Sequence, residues 1–186
     1  FIPEANRIDR TDGEPMYDYM RSGKINLQPI IEAAETATLD NAENIEPLIA
    51  YLKSEEPAIR YWGATGLLIL KEKAQPAVSE LTKALNDESA DVVIVAAEAL
   101  YNLGEKEMAK QALLKVLENP NSFARCHALN TIDCIDEESE EIVAGVVDMV
   151  KASPNMDRSR YDLRAAKWLV EKWEIDPEEY NLEFPW

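Results

Sequence analysis

Four segments of the chain repeat one pattern without gaps: AIRYWGATGLLIL (Ala58 to Leu70), DVVIVAAEALYNL (Asp91 to Leu103), FARCHALNTIDCI (Phe123 to Ile135) and YDLRAAKWLVEKW (Tyr161 to Trp173). Gly63, Ala96, Ala128 and Ala165 are taken as one column of the repeat and Leu67, Leu100, Ile132 and Leu169 as another. The column of small residues advances by 33, 32 and then 37 positions (96−63, 128−96, 165−128). Recurrence on this scale belongs to stacked supersecondary units, none of which can bury its apolar face alone. It specifies a scaffold and leaves the chemistry open.

Helical periodicity fills the intervals between these segments. Leu27, Ile30, Ile31 and Ala34 follow i, i+3, i+4, i+7, which predicts an amphipathic helix over LQPIIEAAETA. Asp40 is expected to cap the next helix, with Glu43 three residues on as in a capping box, before a stripe of Ile45, Leu48, Ile49 and Leu52. Ser54 to Pro57 reads as a turn with Pro57 at the first helical position, where a missing N–H costs nothing. Val78, Leu81 and Leu85 mark the following outer helix. Ala109, Ala112, Leu113 and Val116 mark another, and Ile142, Val146, Met149 and Val150 the last. Gly104 is placed to terminate the helix before it, and Asn121-Ser122 to open the one through Ile135. A longer loop from Ser153 to Ser159 accounts for the 37-residue step. No segment reads as a strand.

The expected organisation is an irregular lead-in over 1–24, an α-solenoid over 25–173 and an acidic aromatic tail over 174–186. The lead-in holds Met16, Tyr17, Tyr19 and Met20, more large apolar groups than a free tail needs, and part of it is expected to pack on the first helices. In the tail Tyr180, Leu182, Phe184 and Trp186 alternate, which suggests an extended strip that covers the end of the last repeat or docks on another domain. The chain starts at Phe1 with no initiating Met, and FIPEANRIDR reads as the interior of a longer protein.

Composition narrows the function classes. Nineteen basic against 36 acidic side chains give a net charge of −17, the wrong sign for neutralising phosphates or for holding an anionic membrane surface. No apolar run approaches the roughly 20 residues that cross a bilayer. Cys126 and Cys134 lie eight positions apart on one predicted helix, roughly 12 Å along its axis, too far for a disulfide. His127 is the only histidine and has no Cys or His at ligand spacing, so it is read as packing or solvent-facing. The acidic run Asp133, Asp136, Glu137, Glu138, Glu140 and Glu141 lacks the glycine and alternation of a calcium loop and suits a helix N-terminus. With no nucleophile paired to a base and no glycine-rich phosphate loop, the chain is expected to be non-catalytic, without metal or cofactor.

The inner helices of such an array line its concave face. Counting from the small-residue column, Leu68, Tyr101, Asp133 and Val170 should face away from the core, as should Thr65, Glu98, Asn130 and Lys167. Tyr61, Leu68, Tyr101, Glu98 and Asn130 are therefore the candidate interaction surface.

The unit SEEPAIRYWGATGLLIL resembles a HEAT repeat: an acidic turn, Pro57, the apolar–Arg pair Ile59-Arg60, the small pair Gly63-Ala64, and Leu67. The resemblance covers 40–173 with repeats shorter than the roughly 40–47 residues usual for that family. It implies an all-α, HEAT-like α-α solenoid of about four helical hairpins with irregular N- and C-terminal segments, working as an interaction scaffold.

A second resemblance joins PMYDYMRSG (Pro15 to Gly23), LQPIIEAAETAT (Leu27 to Thr38) and AIRYWGATGLL (Ala58 to Leu68). In that order they resemble the C-terminal extension of bacterial type I sulfatases similar to N-sulfoglucosamine sulfohydrolases. Neither Cys126 nor Cys134 begins the family's Cys/Ser-x-Pro-x-Arg nucleophile signature, so no catalytic residue carries over. The resemblance implies a parent hydrolase of sulfate esters or sulfamates, periplasmic or exported. This chain would be its non-catalytic tail, packed on the catalytic domain of the same polypeptide or mediating protein contacts. A freestanding HEAT-repeat adaptor is the alternative, while a nucleic-acid enzyme fits poorly with the charge.

Overall fold

The computed structural model describes residues 18, 21–23, 26–153 and 160–184, and among them every regular element is helical. The order is α1 (Gln28–Thr38), a 3-10 turn (Ala42–Asn44), α2 (Ile45–Tyr51), α3 (Pro57–Leu70), a 3-10 stretch (Lys71–Ala77) and α4 (Val78–Ala84). Then come α5 (Ala90–Asn102), α6 (Lys106–Leu117), α7 (Ser122–Cys134), α8 (Glu140–Lys151) and α9 (Tyr161–Lys172). They form two compact units divided between Met108 and Ala109, each with the hairpin-on-hairpin architecture of an α-α solenoid. The expected packing of Met16, Tyr17 and Tyr19, the loop after Ser153 and the position of Trp186 lie outside the described residues.

In the first unit α3 is the centre. It packs between α1 and α5, with α2 across its back. Small residues make this approach possible. A Cβ placed on Gly63 would stand 2.9 Å from the Leu48 carbonyl oxygen and 3.0 Å from the Leu52 nitrogen, so the backbones of α2 and α3 nearly touch there. One on Gly66 would collide with the Leu48 Cδ2 and stand 3.0 Å from the Ala37 Cα. Ala33 and Ala37 of α1 are 0% and 1% exposed against this surface, so α1 takes the same role toward α3 that α3 takes toward α5. A Gly63→Val substitution is expected to cost about 1–3 kcal/mol through overpacking against a backbone that cannot rotate away. A thermal melt followed by far-UV circular dichroism checks this, and an unchanged midpoint would contradict the close approach.

Buried guanidinium groups tie each unit's turns to its inner helices. Arg60, 8% exposed, donates from Nε and one terminal nitrogen to the two Asp87 carboxylate oxygens at 2.6 and 2.8 Å. Its other terminal nitrogen donates to the carbonyls of Ser54 and Glu55 at 2.9 and 3.0 Å. Arg125 repeats the arrangement in the second unit, donating to the Asn119 carbonyl and twice to Asp162, at 2.8 and 2.7 Å. Asp162 is fully buried and also accepts two hydrogen bonds from Arg160, at 2.8 and 2.7 Å. Burial works to raise the Asp162 pKa. The hydrogen bonds from Arg160 and Arg125 outweigh it and hold the carboxyl below its ordinary value.

Helix ends recur with the same period and reveal the register. Lys71, Gly104, Asp136 and Glu174 have positive φ, at +52°, +96°, +52° and +54°. After α5 the Glu105 N–H reaches the Leu100 carbonyl at 2.9 Å and the Gly104 N–H reaches that of Tyr101 at 3.1 Å, a Schellman ending. Asp136 and Glu174 end α7 and α9 in the same way, through bonds to Asp133 and Ile132 and to Glu171 and Val170. The turning residue lies eight positions after Gly63, Ala96 and Ala128, and eight after Ala166 rather than Ala165. Burial agrees: Ala166 and Val170 are 0% exposed, whereas Ala165 is only half-buried. The small residue of the fourth segment is therefore Ala166, not Ala165; the four segments aligned end to end also place it there, and the last step is 38 positions (166−128).

Two further expectations are corrected. Asp40 does not cap: it turns with φ +45°, and its carboxylate pairs with Lys73 at 3.2 Å. The Asn41 side chain instead accepts from the Glu43 N–H at 3.1 Å, because the chain enters α2 through a 3-10 turn. The tail is not an extended strip through Tyr180. The Leu182 N–H returns to the Pro177 carbonyl at 2.9 Å, closing a turn that buries Leu182 and leaves Tyr180 exposed.

Candidate interaction surface

Once α3 and α5 are packed side by side, the positions facing away from the core are set by helical spacing. On α3 these are Tyr61, Thr65 and Leu68, and on α5 Asp91, Glu98 and Tyr101, all partly exposed. Tyr61 stands edge-on to Trp62 with centroids 5.6 Å apart, and the Thr65 hydroxyl donates to the Tyr61 carbonyl at 2.8 Å. Burial raises the Tyr61 phenol above its ordinary pKa. A Thr65 hydrogen bond opposes this, and the nearby carboxylates of Asp91 and Glu98 add to it. Lys106 places its ammonium 4.8 Å from the Tyr101 ring centroid, a cation–π contact. Four of the five candidates, Tyr61, Leu68, Glu98 and Tyr101, thus share one face of the first unit.

The fifth, Asn130, is exposed on α7 in the second unit, where its amide reaches the Cys126 sulfur at 3.9 Å. Counting from Ala166 rather than Ala165 rewrites the rest of this face. Val170 is buried in the core, and the outward positions on α9 belong to Trp168 and Glu171 rather than to Lys167 and Val170. Trp168 is 58% exposed and donates from Nε1 to Asp133 at 3.3 Å. Tyr161 and Phe123 are 57% and 71% exposed, and the Arg164 guanidinium lies 5.6 Å from the Tyr161 ring. Trp168 was missed because the small-residue column was counted from Ala165; aligned end to end, the four segments put Ala166 there, and Trp168 then stands in the column of Thr65, Glu98 and Asn130.

Lys172 donates to Asp133 and Asp136 at 2.9 and 2.6 Å, and these bonds raise its pKa further. Cys126 and Cys134 are free thiols. Burial pushes the Cys126 thiol up and the Asp162 charge adds to it, the opposite of what a reactive thiolate requires. A cleft of about 770 Å³ opens in the second unit beside Leu114, Leu117 and Met149, but its two guanidinium groups, Arg125 and Arg160, already serve Asp162. Among the described residues no group of three or more His, Cys, Asp or Glu is arranged to hold a metal ion. No helix among them is long and apolar enough to cross a membrane.

Residues 45–133, α2 through most of α7, match the family model described as HEAT repeats. Among curated proteins none matches the chain.

Proposed function

We propose that this chain is a non-catalytic interaction domain, and that it serves as the HEAT-like C-terminal accessory domain of a sulfatase. HEAT repeats form helical protein-interaction domains, and the match over 45–133 supports that general role. The sulfatase connection is supported by the resemblance of Pro15 to Gly23, Leu27 to Thr38 and Ala58 to Leu68, and with it a periplasmic or exported setting.

The observation that carries the reading is the open flank of α1. An inner helix in a repeat array buries both flanks, yet Leu27, the N-cap of α1, and Ile31, one turn on, are 40% and 47% exposed. A partner seated here would bury the apolar stripe next to the lead-in. Sequencing upstream of Phe1 and co-expressing the encoded catalytic domain with this chain provides the test. Ile31→Asp is expected to weaken the complex by about tenfold to a hundredfold, since burying one such side chain contributes about 1.5–3 kcal/mol. A reading frame without a sulfatase domain, or a complex indifferent to Ile31→Asp, would overturn it. The exposed Trp168, Tyr161 and Phe123 favour a second reading, a freestanding adaptor, because exposed aromatic groups of this size mark protein contacts.

A further inference from the structure

Helices α3 and α5 carry a single cationic side chain, Arg60, and it is buried against Asp87. Their shared outward face presents two carboxylates, Asp91 and Glu98, beside the rings of Tyr61 and Tyr101 and the apolar Leu68. The charges of Asp91 and Glu98 both add, after burial, to the upward shift of the Tyr61 phenol. The face already receives one cation from the chain itself, the Lys106 ammonium over Tyr101. Rings flanked by carboxylates favour a positive group twice, through the quadrupole of the ring face and through direct charge attraction.

We propose that this face of the first unit binds a cationic, extended segment of another protein, with Lys or Arg side chains lying over Tyr61 and Tyr101 and their charged ends toward Asp91 and Glu98. The seven-residue interval from Asp91 to Glu98 spans roughly 10 Å of helix. An extended segment in the polyproline II conformation rises about 3.1 Å per residue with three residues per turn, so cations three residues apart lie on one side and meet both carboxylates. The proposal rests on the chain being an interaction scaffold, and is independent of the α1 flank and of any sulfatase parent.

The test uses the whole chain and a fluorescent peptide carrying Lys at every third position among Gly and Ala, followed by anisotropy at near-physiological salt. Under those conditions the Debye length is about 8 Å and the distant net charge is screened. The Lys peptide should bind, and the same peptide with Gln in place of Lys should not. Asp91→Asn with Glu98→Gln should weaken binding by about three- to thirtyfold, the range set by two exposed ion pairs. A charge-matched control, Glu178→Gln with Glu179→Gln in the exposed tail turn, should leave binding within about twofold, and both variants should retain the wild-type melting midpoint. Equal weakening by both variants would reduce the effect to net charge and overturn the proposal, as would absence of binding to the unmodified chain. Either result leaves the α1 experiment intact, so failure of this site and failure of the scaffold reading are distinguishable.

Discussion

Replacing Asp162 with alanine should destabilise the second unit by about 3–5 kcal/mol, because removing one member of a buried ion cluster leaves its partners charged and unpaired. Two guanidinium groups depend on this one carboxylate: Arg125, with its side chain 12% exposed, and Arg160, at 16%. Neither can shed its charge at any ordinary pH. In a thermal melt the loss should lower the midpoint by about 6–20 °C for a chain of this size. Asp162→Asn should fall between the two, keeping the shape and one acceptor while losing the charge. A shift of less than about 1 kcal/mol for the alanine variant would mean that water replaces the carboxylate without cost.

The same group gives a signed dependence on pH. Its folded pKa is depressed below the ordinary value of 3.8, so the unfolded chain takes up this proton first as acid is added. The stabilisation is complete above the ordinary value and declines as pH falls through the folded one. Wild type and Asp162→Asn should therefore differ most near neutrality and converge in acid below about pH 4. A gap that stays constant to the lowest pH at which the chain folds would assign the stabilisation to shape rather than charge.

Arg60 should be nearly as sensitive. Arg60→Ala removes a two-pronged bond to Asp87, whose side chain is 9% exposed, and strands the carbonyls of Ser54 and Glu55 at the start of α3. The expected cost is again about 3–5 kcal/mol. Arg60→Lys should recover little of it, because an ammonium cannot span two carboxylate oxygens and two carbonyls from one planar group. Chemical denaturation monitored by far-UV circular dichroism, compared across wild type, Lys and Ala, reads this order directly. A Lys variant as stable as wild type would show that a point charge suffices and that the fork geometry is dispensable.

The helices and their order were legible in the chain because the signals are local. Apolar groups at i, i+3 and i+4, Pro57 at a first turn, Asn121 as a cap and Gly104 beyond a last turn each act within a few residues, and each stands in the structure where it was expected. The 32- and 33-residue steps were legible for the same reason, since repetition turns a weak local signal into a strong one.

What packing alone decided is the burial of Asp162. It can enter the core only because Arg125 and Arg160 converge on it from positions 37 residues before and two before. A carboxylate in the first turn of a helix reads from sequence as a solvated dipole partner. It becomes a buried anchor only when distant cations arrive, and their arrival is a property of the folded chain.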